Sequence, residues 1–207
     1  MNAIFVAVEG PTGAGKTALA TRLALVLGAQ AMFDPFEANP FLSQLLSGEQ
    51  GDTELALRAE LTFFALRVAQ LHHIAGLLAA GRGVVSDWAL LKQPIFAATT
   101  LDPGNAARVA ATVGIWAASL PAPDLVIGLS APASTLRGRI CRRGRDMEAS
   151  VTAAQLAALS AAFENAYAQW PGPLIRVSTT TFDTFDERHL SELATRVRQL
   201  PIPEELR

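Results

Sequence analysis

The sequence predicts an α/β sandwich in which about five parallel strands run between layers of helices. Three observations lead there. Residues 8–20 read VEGPTGAGKTALA, a glycine-rich loop set between an apolar run and a helical one. Further strand-like runs recur along the chain, each separated from the next by a helical stretch, and that alternation implies a parallel sheet with helices over it. Half of the 207 residues are hydrophobic. That suffices for a large core, so residues 1–207 are expected to form one domain.

The elements follow in order. Ile4 to Val8 (IFVAV) is a short β-branched and aromatic run that reads as a buried strand, and Lys16 to Leu27 carries apolar residues at helical spacing. The next strands are expected around Ala31 to Phe33, Gly83 to Ser86, Leu125 to Leu129 and Leu174 to Val177. Ligands of such sheets bind at the carboxyl ends of the strands. The glycine loop, Asp34, Asp87 and the segment from Thr179 to Asp183 all follow strands, so they are expected to converge on one crevice.

Gly10 to Thr17 fit the pattern G-x-x-x-x-G-K-[ST]. From average residue usage about one chain in a hundred of this length would match by chance, before a strand ahead and a helix behind are required. Gly10, Thr12, Gly13, Ala14 and Gly15 supply backbone N–H groups that curl around a β-phosphate at the start of a helix. Lys16 reaches the β- and γ-phosphates, and the Thr17 hydroxyl suits Mg²⁺. The loop alone points to a nucleotide.

The longest helical segment spans about Thr53 to Ala80. Leu57, Leu61, Phe64, Val68, Leu71 and Leu78 form a stripe expected to face the core. Glu60, Phe63, Arg67 and Gln70 share a second, partly polar face, which is either a solvated charged surface or part of a site. His72 and His73 lack metal-ligand spacing and read as ordinary helix residues.

The stretch LRGRICRRGRD carries arginines at 137, 139, 142, 143 and 145. It is either a solvated charge run or a lid whose cations stabilise phosphoryl transfer and exclude water. Lys16 and Lys92 are the chain's two lysines, against fifteen arginines. A lysine in SDWALLKQPIFA is therefore a candidate for a role that needs a compact ammonium.

A formal charge of −2 argues against a nucleic-acid or membrane-surface partner. Cys141 is the single cysteine and cannot form an internal disulfide. No basic leader precedes the loop, and no apolar stretch is expected to reach the length of a membrane span, so a cytoplasmic location is expected.

Taken together, VEGPTGAGKTALA, DPFEANPFL, ELTFFALRVAQL, VVSDWALLKQPIFA, PDLVIGLSAPASTLRGRICRRGRDME and LIRVSTTTFD resemble the successive blocks of the deoxyribonucleoside kinases, most nearly their bacterial deoxyadenosine/deoxyguanosine branch. The resemblance runs from about Ile4 to Asp183. It implies a phosphate-loop kinase that transfers phosphate from ATP, with Mg²⁺, to the 5′-hydroxyl of a deoxynucleoside, here a purine, and that forms a homodimer through helices. It makes Asp34 the general base where relatives usually carry glutamate, with Glu37 in reserve, and gives Asp87 a part in holding Mg²⁺ and substrate. Trp88 stands where eukaryotic relatives have arginine, and Lys92 is the cation expected to replace it. Arg139, Arg143 and Arg145 match lid arginines, and Glu148 matches the lid acid for the sugar 3′-hydroxyl. Leu46 falls near a position of tyrosine in the family. Glu60, Phe63 and Arg67 border the nucleoside base, with Glu60 where glutamine is usual. Thr180 and Phe182 border the adenine of ATP.

Two other functions stay open from sequence: a thymidylate-like nucleoside monophosphate kinase, and a nucleotide-binding partner subunit with little activity of its own. Glu60 sharpens the substrate expectation. An ionised carboxylate offers only acceptors, which suits the N1–H and N2–H₂ donors of guanine, so deoxyguanosine is expected before deoxyadenosine.

Overall fold

The computed structural model describes residues 3–47, 52–144 and 151–200. Strands β1 (Phe5–Glu9), β2 (Gln30–Met32), β3 (Val84–Ser86), β4 (Leu125–Ser130) and β5 (Leu174–Ser178) form one sheet in the order β2-β3-β1-β4-β5. All four strand pairings are parallel. The five expected strands are thus present, with no end displaced by more than one residue.

β1 is central and buried along its whole length. Its side chains alternate between two cores, as the two-residue period of a strand requires. Val6 and Val8 join Leu19 and Leu23 of α1 (Lys16–Leu27) and Leu190, Leu193 and Val197 of α8 (Glu187–Gln199). Phe5 and Ala7 join Leu71, Ile74 and Leu77 of α3 (Thr53–Ala79). Beside them Val126 of β4 packs with Ile95 of α4 (Lys92–Thr100) and Phe163 of α7 (Ala153–Ala168). The remaining helices are α2 (Leu42–Ser47), α5 (Pro103–Ala117) and α6 (Ala133–Arg143).

Two expectations for α3 are corrected. By length and composition this helix passes as a membrane span. In the fold it packs Leu71, Ile74 and Leu77 on the sheet and buries Glu60 and Arg67 against protein. Its buried stripe is also displaced from the expected one. Ala56, Ala59, Glu60, Phe64, Arg67, Leu71, Ile74 and Leu77 are buried, whereas Leu61 is 47% exposed. Two charged residues occupy the inward face because partners from other elements await them there, as described below.

Candidate active site

The loop after β1 turns sharply into α1. Gly13 has φ 83°, and a Cβ there would lie 2.8 Å from the Leu136 carbonyl oxygen, so α6 leaves room for glycine alone. Gly15 caps α1 in the left-handed region. Lys16 folds its ammonium back over the loop and donates to the carbonyls of Gly10 (2.8 Å) and Pro11 (3.0 Å). Desolvation and the nearby Lys92 lower Lys16 to about 8, with Glu9, Asp87 and Asp34 pulling the other way.

Asp87, just beyond β3, joins the loop to the second strand. Its Oδ2 accepts the Thr17 hydroxyl at 2.5 Å and its Oδ1 accepts the Asp34 backbone N–H at 2.8 Å. Thr17 and Asp87 therefore present a hydroxyl and a carboxylate side by side at the mouth of the loop. These hard oxygen donors fit Mg²⁺, which takes few protein ligands and keeps several waters.

Asp34 is held from two sides. Arg67 donates through Nε and one terminal nitrogen, each at 3.0 Å, to the two carboxylate oxygens, and Lys92 Nζ lies 2.6 Å from Oδ2. Burial by itself would raise this carboxyl, but the opposing charges of Lys92 and Arg67 and their hydrogen bonds outweigh it and hold it well below the usual carboxylate range. Arg67 also stacks over Phe63, 4.8 Å from the ring centroid, and faces the fully buried Trp88 at 6.0 Å. Glu37 is exposed on the short 3-10 turn Phe36–Ala38.

The solvated-face alternative for Glu60 and Arg67 is excluded, since they are only 6% and 3% exposed. Gln93 lies between them: it accepts from Arg67 and donates to Glu60 through Nε2 at 2.6 Å. Thr100 donates to the other Glu60 oxygen at 3.0 Å. Burial raises the Glu60 carboxyl above its ordinary value, against the lowering effect of Thr100 and Arg67.

Near β5, Arg139 of α6 donates to the Thr179 hydroxyl and carbonyl, both at 2.7 Å. The charge run is therefore not wholly solvated. Arg137, Arg142 and Arg143 are exposed, Thr180 bonds Ser178, and Phe182 stacks on His189 with centroids 5.3 Å apart. Arg145 and Glu148 lie outside the described residues, as does the side chain of Leu46. His72 and His73 are exposed, and the described residues contain no cluster of three or more His, Cys, Asp or Glu side chains that could hold a metal by themselves.

Glu9, Gln93 and Thr100 were not anticipated from sequence. For Glu9 a signal exists: an acid closing an otherwise apolar strand immediately before the glycine loop must be buried with it. Gln93 and Thr100 have none, because their partners lie 26 to 40 residues away.

A parallel sheet with a glycine-rich phosphate loop after its central strand defines the phosphate-loop class of nucleotide-binding proteins. The deoxynucleoside kinase family model matches residues 6–200, and the chain belongs to that family. It is 31% identical over 203 residues to a deoxyguanosine kinase of Bacillus subtilis (strain 168), covering 95% of this chain and 97% of the relative. It is 24% identical over 196 residues to a deoxyadenosine/deoxycytidine kinase of the same organism, covering 90% and 88%. Among solved structures, a deoxyadenosine kinase of M. mycoides with products dCMP and a flexible dCDP bound superposes with a TM-score of 0.78 at 20% identity, covering 95% of this chain and all of the other. The same enzyme with bound dATP gives 0.77. The chain is thus an enzyme that phosphorylates deoxynucleosides, and the monophosphate-kinase and inactive-subunit alternatives give way.

Proposed function

We propose that this kinase transfers the γ-phosphoryl group of ATP to the 5′-hydroxyl of a purine deoxynucleoside, deoxyguanosine before deoxyadenosine, as a single cytoplasmic unit spanning the chain. One observation carries the reading. Asp87 hydrogen-bonds both Thr17 of the phosphate loop and the backbone of Asp34, so donor site and acceptor carboxylate are built as one piece.

Asp34 receives the hydroxyl proton. Its depressed value keeps it ionised at neutral pH, and a loose transition state needs proton transfer only late, so orientation by Arg67 and Lys92 matters more than basicity. Gly10, Thr12, Gly13, Ala14 and Gly15 hold the phosphates, and Lys16 leaves its two carbonyls to meet them. Thr17 and Asp87 would hold Mg²⁺, which when bound would help neutralise the charge of the triphosphate. Arg139, Arg143 and Arg145 close over the phosphates, Glu148 takes the sugar, and Thr180 and Phe182 border the donor base.

Base choice rests on Glu60. Each of its oxygens already holds one protein donor and retains a further lone pair, which suits the adjacent N–H donors of guanine. Phe63 and Arg67 flank it. The 31% identity to a deoxyguanosine kinase supports the same choice.

Self-association as a homodimer is assigned to the outer face of α3 and α5, where Leu61, Ile115 and Trp116 are 47%, 77% and 42% exposed and Trp116 meets Phe64 edge-on. Sedimentation of Ile115→Glu should report a monomer where the native chain reports a dimer.

The chemistry is tested by phosphorus NMR of the product from deoxyguanosine and MgATP. Resonances of a 5′-monophosphate and ADP are expected. A 3′-monophosphate, or ATP hydrolysis with the nucleoside unchanged, would refute the proposal.

A further inference from the structure

Glu9 has no task in the chemistry above, yet it is fully buried at the end of β1, directly before Gly10. In register it faces Gly128 of β4, on which the Tyr167 ring packs so closely that a Cβ there would lie 2.9 Å from ring atoms. Its Oε1 accepts the Ala89 N–H at 2.6 Å, which ties the 87–92 loop to the base of the phosphate loop. Its Oε2 is buried with no hydrogen-bond partner among the described residues.

The charged and titratable groups around Glu9 come from four helices: Lys16 on α1, Arg67 on α3, Lys92 on α4 and Tyr167 on α7. Asp34 and Asp87 complete the cluster through Lys16. A triphosphate seated on the loop adds negative charge beside a buried carboxylate that has only one hydrogen bond, and the low local dielectric makes that repulsion strong.

We propose that Glu9 is a positioning residue that holds the 87–92 loop in register with the phosphate loop and that must be neutralised for the donor triphosphate to bind tightly. Burial raises its carboxyl to about 7, against the pull of Lys92 and Lys16, so the neutral form is reached within the physiological range. Nearby phosphates favour that form further. Affinity for MgATP is then highest below about 7 and falls as pH rises through it.

This inference rests on the phosphate-loop reading, and its test separates the two. KM for MgATP is measured from about pH 6 to about pH 9 at saturating Mg²⁺ for the wild type and Glu9→Gln, which keeps an acceptor for Ala89 and removes the charge. The wild-type KM should rise about tenfold through neutrality, equivalent to a linked shift of about one pKa unit, while Glu9→Gln stays near the low-pH value through neutrality. Glu9→Ala, which also strands the Ala89 N–H, should lose about tenfold more kcat than Glu9→Gln. If Glu9→Ala does not fold, the Gln profile decides alone. Parallel profiles in wild type and Glu9→Gln would overturn the proposal while leaving the phosphate loop intact. Rates that do not saturate with MgATP in either protein would instead overturn the phosphate-loop reading.

Discussion

Lys92 Nζ lies 2.6 Å from Asp34 Oδ2, a contact that brings one of the chain's two lysines onto the carboxylate proposed to receive the hydroxyl proton. With Arg67 it turns a buried acid into a fixed anion. Asp34→Asn should lower kcat by about two to four orders of magnitude and leave MgATP affinity nearly unchanged. Steady-state kinetics check this. An equal loss in Glu37→Gln with Asp34→Asn active would move the role to Glu37.

The same contact predicts a pH effect on stability. Because the folded value of Asp34 is depressed, its contribution is present above the unfolded value of about 4 and is lost as pH falls through the folded value. Asp34→Asn leaves two buried cations without their counter-charge, so it should cost about 3 kcal/mol or more at neutral pH. Denaturant titrations should find that this difference shrinks in strong acid.

Glu60→Gln should shift the ratio of kcat/KM for deoxyguanosine over deoxyadenosine toward deoxyadenosine, because an amide presents a donor where the carboxylate offers an acceptor. The variant keeps an acceptor for Thr100 or Gln93, so folding should persist. An unchanged ratio means that Glu60 does not read the base.

Gly128→Ala should destabilise the fold by about 1–3 kcal/mol, since the new methyl would meet the Tyr167 ring at 2.9 Å within a packed layer. The urea midpoint measures it. A midpoint equal to that of the wild type would show that α7 yields without cost.

Arg139→Ala should reduce kcat more than it raises KM for the nucleoside, with a smaller rise in KM for ATP as Thr179 loses both of its bonds from the guanidinium. Arg143→Ala and Arg145→Ala should share the kcat effect without the ATP effect. Unchanged kcat in all three would return the run to a surface role.

The strands were legible because β1, β3 and β4 are short apolar runs bounded by turns, and the phosphate loop because its glycines and lysine have fixed spacing. The inward face of α3 was not. Sequence periodicity places charges outward, and Glu60 and Arg67 face inward only because Gln93, Thr100 and Asp34 arrive from distant segments to pair with them. Glu9 carried a signal of burial, an acid closing an apolar strand before the glycine loop, but the lysines beside it come into view only in the fold.

The central claim is deoxynucleoside phosphorylation through one joined site, and initial rates of label transfer from γ-labelled ATP test it most directly. The acceptors would be the four deoxynucleosides, their ribo-counterparts and the deoxynucleoside monophosphates, with Lys16→Ala as the control. Transfer to deoxynucleosides, fastest to deoxyguanosine and abolished in Lys16→Ala, is the predicted result. Transfer confined to monophosphates or ribonucleosides, or undiminished transfer by Lys16→Ala, would contradict it.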